Sequence, residues 1–243
     1  MKDNLQDLIS HTSQLGCIDL IKVTGTDQET KINAIADDRT VIVSGKFKNP
    51  SAEFIGTFGM PNLGKLKTII SFEEYDENSN VEMKTQQVGT EALPSYIHFQ
   101  TQTGDFVNDY RLMSKEIVED KIKPVKFAGA TWNVEFEPKV ANIQRMKKQA
   151  SANSEEGTFV TKTDNGDLKV FFGDVSSHSG NFVFESGVTG TLTKAWAWPV
   201  KQFLAIMDLQ GDKKVYISDA GAMKITVDSG LAEYEYLLPA QQR

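Results

Sequence analysis

Gly59–Leu66 is the segment of the chain closest to a catalytic motif. Its first seven residues match the G-x-x-x-x-G-K pattern of a phosphate-binding loop. In a working loop the next position supplies a hydroxyl group to Mg²⁺, but here that position is Leu66. Pro61 also removes one backbone N–H from the expected phosphate cradle. We therefore interpret the segment as the start of a helix and not as a nucleotide site.

Metal-ligand and nucleophile–base arrangements are also missing from the sequence. His11, His98 and His178 are the only histidines, and none has a ligand partner at metal-binding spacing. His178 follows Ser176-Ser177, but neighbouring residues in a turn do not give nucleophile–base geometry, and no G-x-S-x-G elbow occurs. The single cysteine, Cys17, excludes a disulfide framework. We expect a binding protein without catalytic residues, metal or cofactor.

Length and composition are those of an ordinary globular protein. The chain has 243 residues, of which 40% are hydrophobic and 24% are charged. This is enough for two domains of about 120 residues each. No stretch approaches the roughly 20 apolar residues of a membrane helix, and the N-terminus lacks the apolar core of a signal peptide. With one cysteine, these features predict a cytoplasmic protein.

Most of the chain alternates apolar and polar residues with the period of a β-strand. Turn signals such as Asn165-Gly166 separate the alternating runs. We predict strands at 18–24, 30–36, 40–47, 81–86, 96–102, 106–113, 157–163, 167–173, 181–186, 213–218, 222–228 and 232–238.

Only four segments have helical spacing, at residues 3–15, 61–71, 139–151 and 199–208. In each segment the apolar residues fall on one stripe, which predicts a helix with one face on a core. The stripes are Leu5, Leu8, Thr12 and Leu15; Leu63, Leu66, Ile69 and Ile70; Val140, Ile143, Met146 and Ala150; and Val200, Phe203, Leu204 and Met207.

The order of these elements repeats. Each half runs through a helix, three strands, a short aromatic strand ending in proline, a second helix and three strands. Phe58–Leu63 in the first half corresponds to Trp196–Lys201 in the second. The best interpretation is a duplicated unit, with residues 1–120 as the first repeat and 121–243 as the second. The charged stretch Ser114–Lys126 is predicted to connect them.

Charge is distributed unevenly between the helices and the rest of the chain. The net charge is −7, yet residues 1–15, 61–70, 139–150 and 199–207 together hold eight lysines and arginines against two aspartates. Arg145 and Lys148 are expected opposite the apolar stripe of the third segment, with Lys139 and Lys147 beside it. Binding of phosphates depends on local charge, so this pattern is typical of a nucleic-acid surface, although simple solvated helix faces would give it too.

The repeated unit with basic helices resembles the DNA sliding clamps. The C-terminal runs Lys224–Val227 and Tyr234–Pro239 look like the last strands of the trimeric clamps, of the PCNA type and of the T-even-phage polymerase processivity factors. The short, two-unit chain makes the phage type the closer match. The resemblance spans the whole chain in order and spacing, and no single motif carries it.

The resemblance implies an α+β fold of two tandem clamp-type repeats, each with two helices packed on an antiparallel sheet. Three subunits would close into a homotrimeric ring around duplex DNA, tether the replicative DNA polymerase and be opened by a clamp loader. Such a ring slides along phosphates without reading sequence and needs no cofactor. If a phage encodes it, the ring acts in the cytoplasm of the infected host cell.

A DNA-facing surface follows from this resemblance and from the charge pattern. The first helix departs from a basic lining, because Asp3, Asp7, Ser10 and Gln14 are expected on its outward side. The residues predicted to contact DNA are Lys65, Lys67, Lys139, Arg145, Lys147, Lys148 and Lys201.

By the same resemblance, the ring closes where the last strand of one first repeat meets an edge strand of the next subunit's second repeat. Here Phe106–Leu112 would pair with Asn181–Glu185, and this pairing would cover phenylalanines that are otherwise exposed on an edge. The alternative is that both segments are internal strands of one sheet. The expected interface residues are Phe106, Val107, Tyr110, Leu112, Phe182, Val183 and Phe184.

Client proteins of these clamps insert a short peptide beside the connector and the C-terminal strand. An apolar pocket there would hold an aromatic or aliphatic anchor. The same residues could instead complete the core of the second repeat. The matching positions are Val41, Ile122, Pro124, Val125, Leu237, Leu238 and Pro239.

A β-rich phage structural or assembly protein, such as a tail or scaffold component, is the alternative from a different functional class. Such a protein would polymerise through strand edges into open-ended assemblies, whereas a clamp closes into a trimer. Matched basic helices in both repeats favour the clamp.

Overall fold

The computed structural model of the chain describes residues 1–123, 130–174, 176 and 178–241. The chain divides into two compact units. The first comprises Met1–Val125 and Ser229–Tyr234, and the second comprises Lys126–Asp228 and Glu235–Arg243. No helix within the described ranges has both the length and the apolar character needed to cross a membrane.

The continuous part of the first unit begins with a helix, and its last element is also a helix. Its elements are α1 (Lys2–Ser10), a 3-10 helix (Ser13–Leu15), β1 (Leu20–Gly25), β2 (Thr30–Ile35), β3 (Ile42–Phe47), β4 (Gly56–Pro61), α2 (Leu63–Ile70), β5 (Asn80–Val88), β6 (Glu91–Gln100), β7 (Val107–Arg111) and α3 (Lys115–Lys121).

The second unit repeats this order after one additional short strand. Its elements are β8 (Val134–Phe136), α4 (Val140–Ala152), β9 (Thr158–Asp164), β10 (Asp167–Gly173), β11 (Ser179–Ser186), β12 (Trp196–Pro199), α5 (Val200–Met207), β13 (Asp212–Ser218), β14 (Ala222–Asp228) and β15 (Ala232–Pro239). The first three residues of β15 are counted with the first unit.

The order of strands within the sheets repeats as well. In the first unit the order is β4-β1-β2-β3, and in the second it is β12-β9-β10-β11. The remaining strands follow as β5-β6-β7 and as β15-β14-β13, with β8 added beside β13. All the ladders whose register is described are antiparallel. The predicted class, tandem repeats of helices on antiparallel sheets, is confirmed.

Two helices pack side by side in each unit, α1 with α2 and α4 with α5. In α2 the whole predicted stripe is buried, which fixes the helix by removing apolar surface from water. In α4 the stripe was placed too far towards the N-terminus, because Val140 is 74% exposed while Ile143 and Met146 are buried. The first turn of α4 thus extends past the core that the rest of the helix covers.

The predicted connector is partly helical, which the sequence pattern did not indicate. Within Ser114–Lys126, residues Lys115–Lys121 form α3. Val118 of α3 packs on β4 at Gly59, where an added Cβ would lie 2.8 Å from the valine side chain. The helix is short, and its single buried residue gives no stripe that a periodicity argument could find.

A buried polar cluster occupies the inner side of α1. Asp7 was expected to face outward, but its side chain is only 8% exposed and lies 3.4 Å from the His11 ring. The Tyr234 hydroxyl donates to the Asp7 carboxylate at 2.7 Å, and its ring stacks on His11. The outward side of α1 therefore presents one acid, Asp3, instead of two.

Replacing Asp7 by alanine should destabilise the chain by about 1–3 kcal/mol, because the buried Tyr234 hydroxyl loses the carboxylate to which it donates. Urea unfolding followed by circular dichroism measures this free energy. The matched change Asp3→Ala, on the exposed side of the same helix, should stay within about 0.5 kcal/mol of wild type. Equal stability of the two variants would contradict a stabilising role for the cluster.

Candidate functional site

Lys65 and Lys67 project from the solvent-facing side of α2. Both are exposed, and the opposite side of the helix is buried. Within the described residues neither lysine forms an ion pair, so both ammonium groups are available to an external anion. These two lysines are the residues of the first unit that were predicted to contact DNA, and their role in DNA binding stays a prediction.

Lys148 on α4 and Lys201 on α5 have the same character in the second unit. Both are exposed, and neither is ion-paired with any residue that the structure describes. The buried residues Ile143 and Met146 of α4 and Phe203 of α5 lie on the other sides of these helices. Among the described residues, α4 and α5 thus each carry one predicted DNA-contact lysine without an ion-pair partner, whereas α2 carries two.

The other three predicted DNA contacts are held by their own unit. Lys147 forms an ion pair with Asp208. The Arg145 guanidinium lies 5.1 Å above the Phe182 ring, and one of its N–H groups donates to the Val183 carbonyl at 3.3 Å. Arg145 is thus directed to strand β11, which reduces its share in any phosphate surface.

Lys139 has a structural task, because it covers a buried carboxylate. Its ammonium group is 2.5 Å from Glu185, whose side chain is only 8% exposed. Asn142 donates to the second carboxylate oxygen at 3.1 Å. A buried carboxylate is costly unless it is paired, so Lys139 stabilises the attachment of α4 to β11. The sequence could not indicate this, since the partners are separated by 46 positions.

Strand β7 forms one edge of the β5-β6-β7 sheet. The amide of Leu112 donates to Ser95 at 2.9 Å, and the amide of Thr101 donates to Phe106 at 3.1 Å, on either side of the β6–β7 ladder. Along an antiparallel ladder, hydrogen-bonded pairs alternate with pairs whose N–H and C=O groups point away from the partner strand. The two end bonds therefore fix the direction of the backbone groups of each residue between them. The residues whose backbone groups point away from β6 are Val107, Asp109 and Arg111.

Strand β11 forms the edge of the sheet in the second unit. The turn Asn165-Gly166 has positive φ at both residues, and the pair that closes such a two-residue turn, Asp164 with Asp167, is hydrogen-bonded. By alternation, the backbone of Lys169 bonds towards β9. Its neighbour on the other side, Val183, therefore directs its N–H away from β10.

Both strands predicted for the subunit seam are thus edges of separate sheets, and the alternative of internal strands in one sheet is excluded. The prediction that Phe182 and Phe184 are exposed on this edge, however, is wrong. Phe182 and Phe184 are 8% and 1% exposed, because they point into the core beneath α4 and α5. At its edge β11 offers backbone N–H groups and not apolar side chains, and the Val183 carbonyl already accepts from Arg145.

On β7 the side chains divide between core and solvent. Val107 is 47% exposed, whereas Tyr110 is 2% exposed and donates its hydroxyl to the Pro61 carbonyl. Burial raises the pKa of Tyr110 well above its usual value, so the hydroxyl stays a neutral donor. Phe106 packs on Phe72, and Leu112 is partly exposed. Val107 is the clearest apolar contact that β7 offers at its edge.

A groove of about 890 Å³ lies in the first unit, between the turn that joins β2 and β3 and the end of α3. Ile122 was predicted for a peptide pocket and does line the groove. Asp19, Pro61 and Met113 also line it and were not predicted, because they come from three distant segments.

The other predicted pocket residues differ in their exposure. Val41 and Leu238 are completely buried, each in the core of its own unit, so the alternative role as core residues holds for them. Leu237 and Pro239 are partly exposed in the second unit. Pro124 and Val125 lie outside the described residues.

The sequence motif at Gly59–Leu66 has no phosphate-loop geometry. Gly59 lies within β4, and α2 begins at Leu63 after Asn62 in a left-handed conformation. Across the described parts of the chain, no group of three or more His, Cys, Asp or Glu side chains is placed to hold a metal ion. The features available for function are therefore the exposed lysines, the two strand edges and the groove.

Comparison with known proteins identifies the fold. Neither a family model nor a curated protein matches the chain. Among solved structures, PCNA of A. fulgidus, solved with the C-terminal region of FEN-1 bound, matches with a TM-score of 0.68 and 11% identity over 100% of this chain and 96% of that one. PCNA of Thermococcus kodakaraensis matches with a TM-score of 0.66 and 12% identity, covering 99% and 97%. The chain therefore has the fold of the PCNA-type sliding clamps.

Proposed function

We propose that the chain is a DNA sliding clamp of the phage type, a homotrimeric ring that encircles duplex DNA and tethers the replicative polymerase. The observation that carries the proposal is the match to two PCNA structures over nearly the whole length of both chains. In this proposal the ring holds the polymerase on DNA and performs no chemistry of its own.

Ring closure is supported by the two open strand edges. The first unit offers β7 and the second offers β11, so a head-to-tail contact can join each subunit to the next. Pairing would cover the outward N–H groups that otherwise make an edge strand prone to aggregate. Three such contacts would close a trimer and pair both of these edges in every subunit.

DNA binding is supported by the exposed lysines on α2, α4 and α5. Lys65, Lys67, Lys148 and Lys201 are the candidates for phosphate contact, with Lys139, Arg145 and Lys147 in secondary roles because their side chains are already engaged. Phosphate contacts made by lysines in this way carry no sequence information, as a sliding ring requires.

Protein partners are proposed to use the groove of the first unit. The PCNA of A. fulgidus was solved with a segment of another protein bound, which supports a peptide-binding role for clamps of this fold. The partners we propose are the polymerase and the clamp loader.

The molar mass in solution tests the ring. We expect about 81 kDa by light scattering, three times the 27.0 kDa of one chain. The closed ring, once assembled around a nicked circular duplex, should stay bound at high salt and be released when the circle is cut. An open-ended series of larger species would support the alternative, a structural assembly protein, and would refute the clamp.

A further inference from the structure

A buried lysine in the first unit lacks a counter-ion. Lys22 on β1 is only 9% exposed, and its ammonium group donates to the Ile122 carbonyl at a long 3.4 Å. Among the described residues no carboxylate pairs with it. An ammonium group has three N–H donors, and burying it without an anion costs several kcal/mol. Such an arrangement is expected where a ligand supplies the missing charge.

The surroundings of Lys22 form a small pocket of about 150 Å³. Lys22, Asn33 and Ser44 are aligned across β1, β2 and β3, since each faces the next in the strand register. They form a polar row, and Ile42 and Ile122 form apolar walls. At about 30 Å³ per water molecule, the pocket can hold a carboxylate group with its hydrogen-bonding partners.

This pocket is continuous with the larger groove proposed for partner peptides. Both are lined by Ile35, Ile42, Ile122 and Lys123. The groove adds apolar surface from Met113, so an apolar side chain can lie in the groove while a charged group reaches Lys22.

The charges that line the groove are balanced. The lining includes the carboxylates of Asp19, Asp37 and Asp120 and the cationic groups of Arg39, Lys121 and Lys123. The groove therefore offers no net positive charge to a polyanion such as a nucleic acid backbone. A single carboxylate needs only one charged partner, and the buried ammonium group of Lys22 can supply it.

We infer that Lys22 binds a carboxylate of the partner peptide, either its C-terminal carboxylate or an acidic side chain next to an apolar anchor. The inference rests on the proposed function, because it assigns one contact within the proposed partner groove. The polar row of Asn33 and Ser44 donates further hydrogen bonds to the same group. A charge-assisted bond in a buried site favours the carboxylate over its amide by at least about tenfold in affinity.

Titration of the trimer with defined peptides tests the inference. The probes are acetyl-Gly-Ser-Leu-Phe with a free carboxylate, the same peptide as its amide, acetyl-Gly-Asp-Leu-Phe amide, and inorganic phosphate. Binding is followed by the methyl NMR signals of Ile35, Ile42 and Ile122. We expect an acidic peptide to bind at least about tenfold more tightly than the uncharged amide. Which acidic peptide binds identifies the source of the carboxylate.

Variants separate Lys22 from general charge effects. Lys22→Met should abolish the preference for the carboxylate, and Lys22→Arg should retain most of it. Lys31→Met is the matched control, because this exposed lysine lies on the same side of the sheet and its loss should leave the preference unchanged. If Lys22→Met does not fold, the affinities of the wild-type protein for the acidic peptides and for the uncharged amide still test the carboxylate preference.

The inference would be overturned if neither acidic peptide bound more tightly than the uncharged amide. Phosphate that binds as tightly as the peptide carboxylate and moves the same methyl signals would overturn it too. A trimer that stays on circular DNA but shows no carboxylate preference would refute only the role of Lys22. A carboxylate preference that depends on Lys22 in a chain that does not trimerise would support the pocket and refute the clamp.

Discussion

Replacing Val183 by proline should convert the trimer into folded monomers. The amide of Val183 points away from β10, so proline removes a donor from the open edge of β11 without removing a bond from the ladder within the unit. The proline ring also places bulk where the neighbouring strand would lie. Sedimentation velocity should show one species near 27.0 kDa in place of about three times that mass.

The matched variant Val183→Ala keeps the N–H and should remain trimeric. Circular dichroism and thermal unfolding should show that both variants retain the fold, because the side chains of Phe182 and Phe184 stay in the core. A trimer that is unchanged by proline at this position would refute the proposed pairing of β7 with β11.

The effect should be large because all three seams of the proposed ring are identical. A head-to-tail ring uses the same pair of surfaces at every contact, so one substitution weakens each of them. Open dimers and open trimers lack the stabilisation of the last, ring-closing contact. The equilibrium should therefore shift strongly to monomers.

The two-residue period of the strands was sufficient to predict nearly all of them, together with their repetition. It could not predict which side of an edge strand is covered. Phe182 and Phe184 lie two positions apart and so share one side of the strand, which could be exposed or buried. Only the position of α4 and α5 over the sheet places them in the core. β8 was missed because three residues are too few for a period.

The helical period predicted which basic side chains are exposed. It could not predict which of them already have a partner within the chain. The period places Lys148 opposite the buried stripe of α4, and the structure agrees. Arg145 occupies a similar position, yet it lies over Phe182, and Lys139 is paired with Glu185. These partners belong to β11, which follows α4 by about thirty residues, so local spacing contains no information about them.

The burial of Lys22 could not be predicted from the sequence either. In β1 the alternation of Ile21, Lys22 and Val23 is typical of a strand with one exposed side. In the structure all three are buried, because Ile122 at the end of α3 covers the side on which Lys22 lies. That contact joins residues 100 positions apart. Non-local coverage of a sheet is what turns an ordinary strand lysine into a candidate ligand-binding residue.

The double substitution Lys67→Glu and Lys148→Glu should strongly weaken DNA binding without affecting the trimer. It reverses one exposed lysine in each unit, and neither lysine has an ion-pair partner among the described residues. Each phosphate that the protein no longer neutralises lowers the log–log salt slope by about 0.9. With two positions in three subunits, the slope should fall by as much as about five, measured by fluorescence anisotropy with a short duplex.

This pair is a cleaner test than one that includes Arg145, because Arg145 bonds to the backbone of β11 and its replacement would also alter the seam. The control Lys31→Glu with Lys162→Glu makes the same change in net charge on exposed strand residues, one in each unit. If the proposed lysines contact phosphates, the control should keep most of the wild-type slope, since phosphate contact depends on local position more than on total charge. Equal slopes for the two double variants would mean that the helices do not form the DNA surface, even in an intact ring.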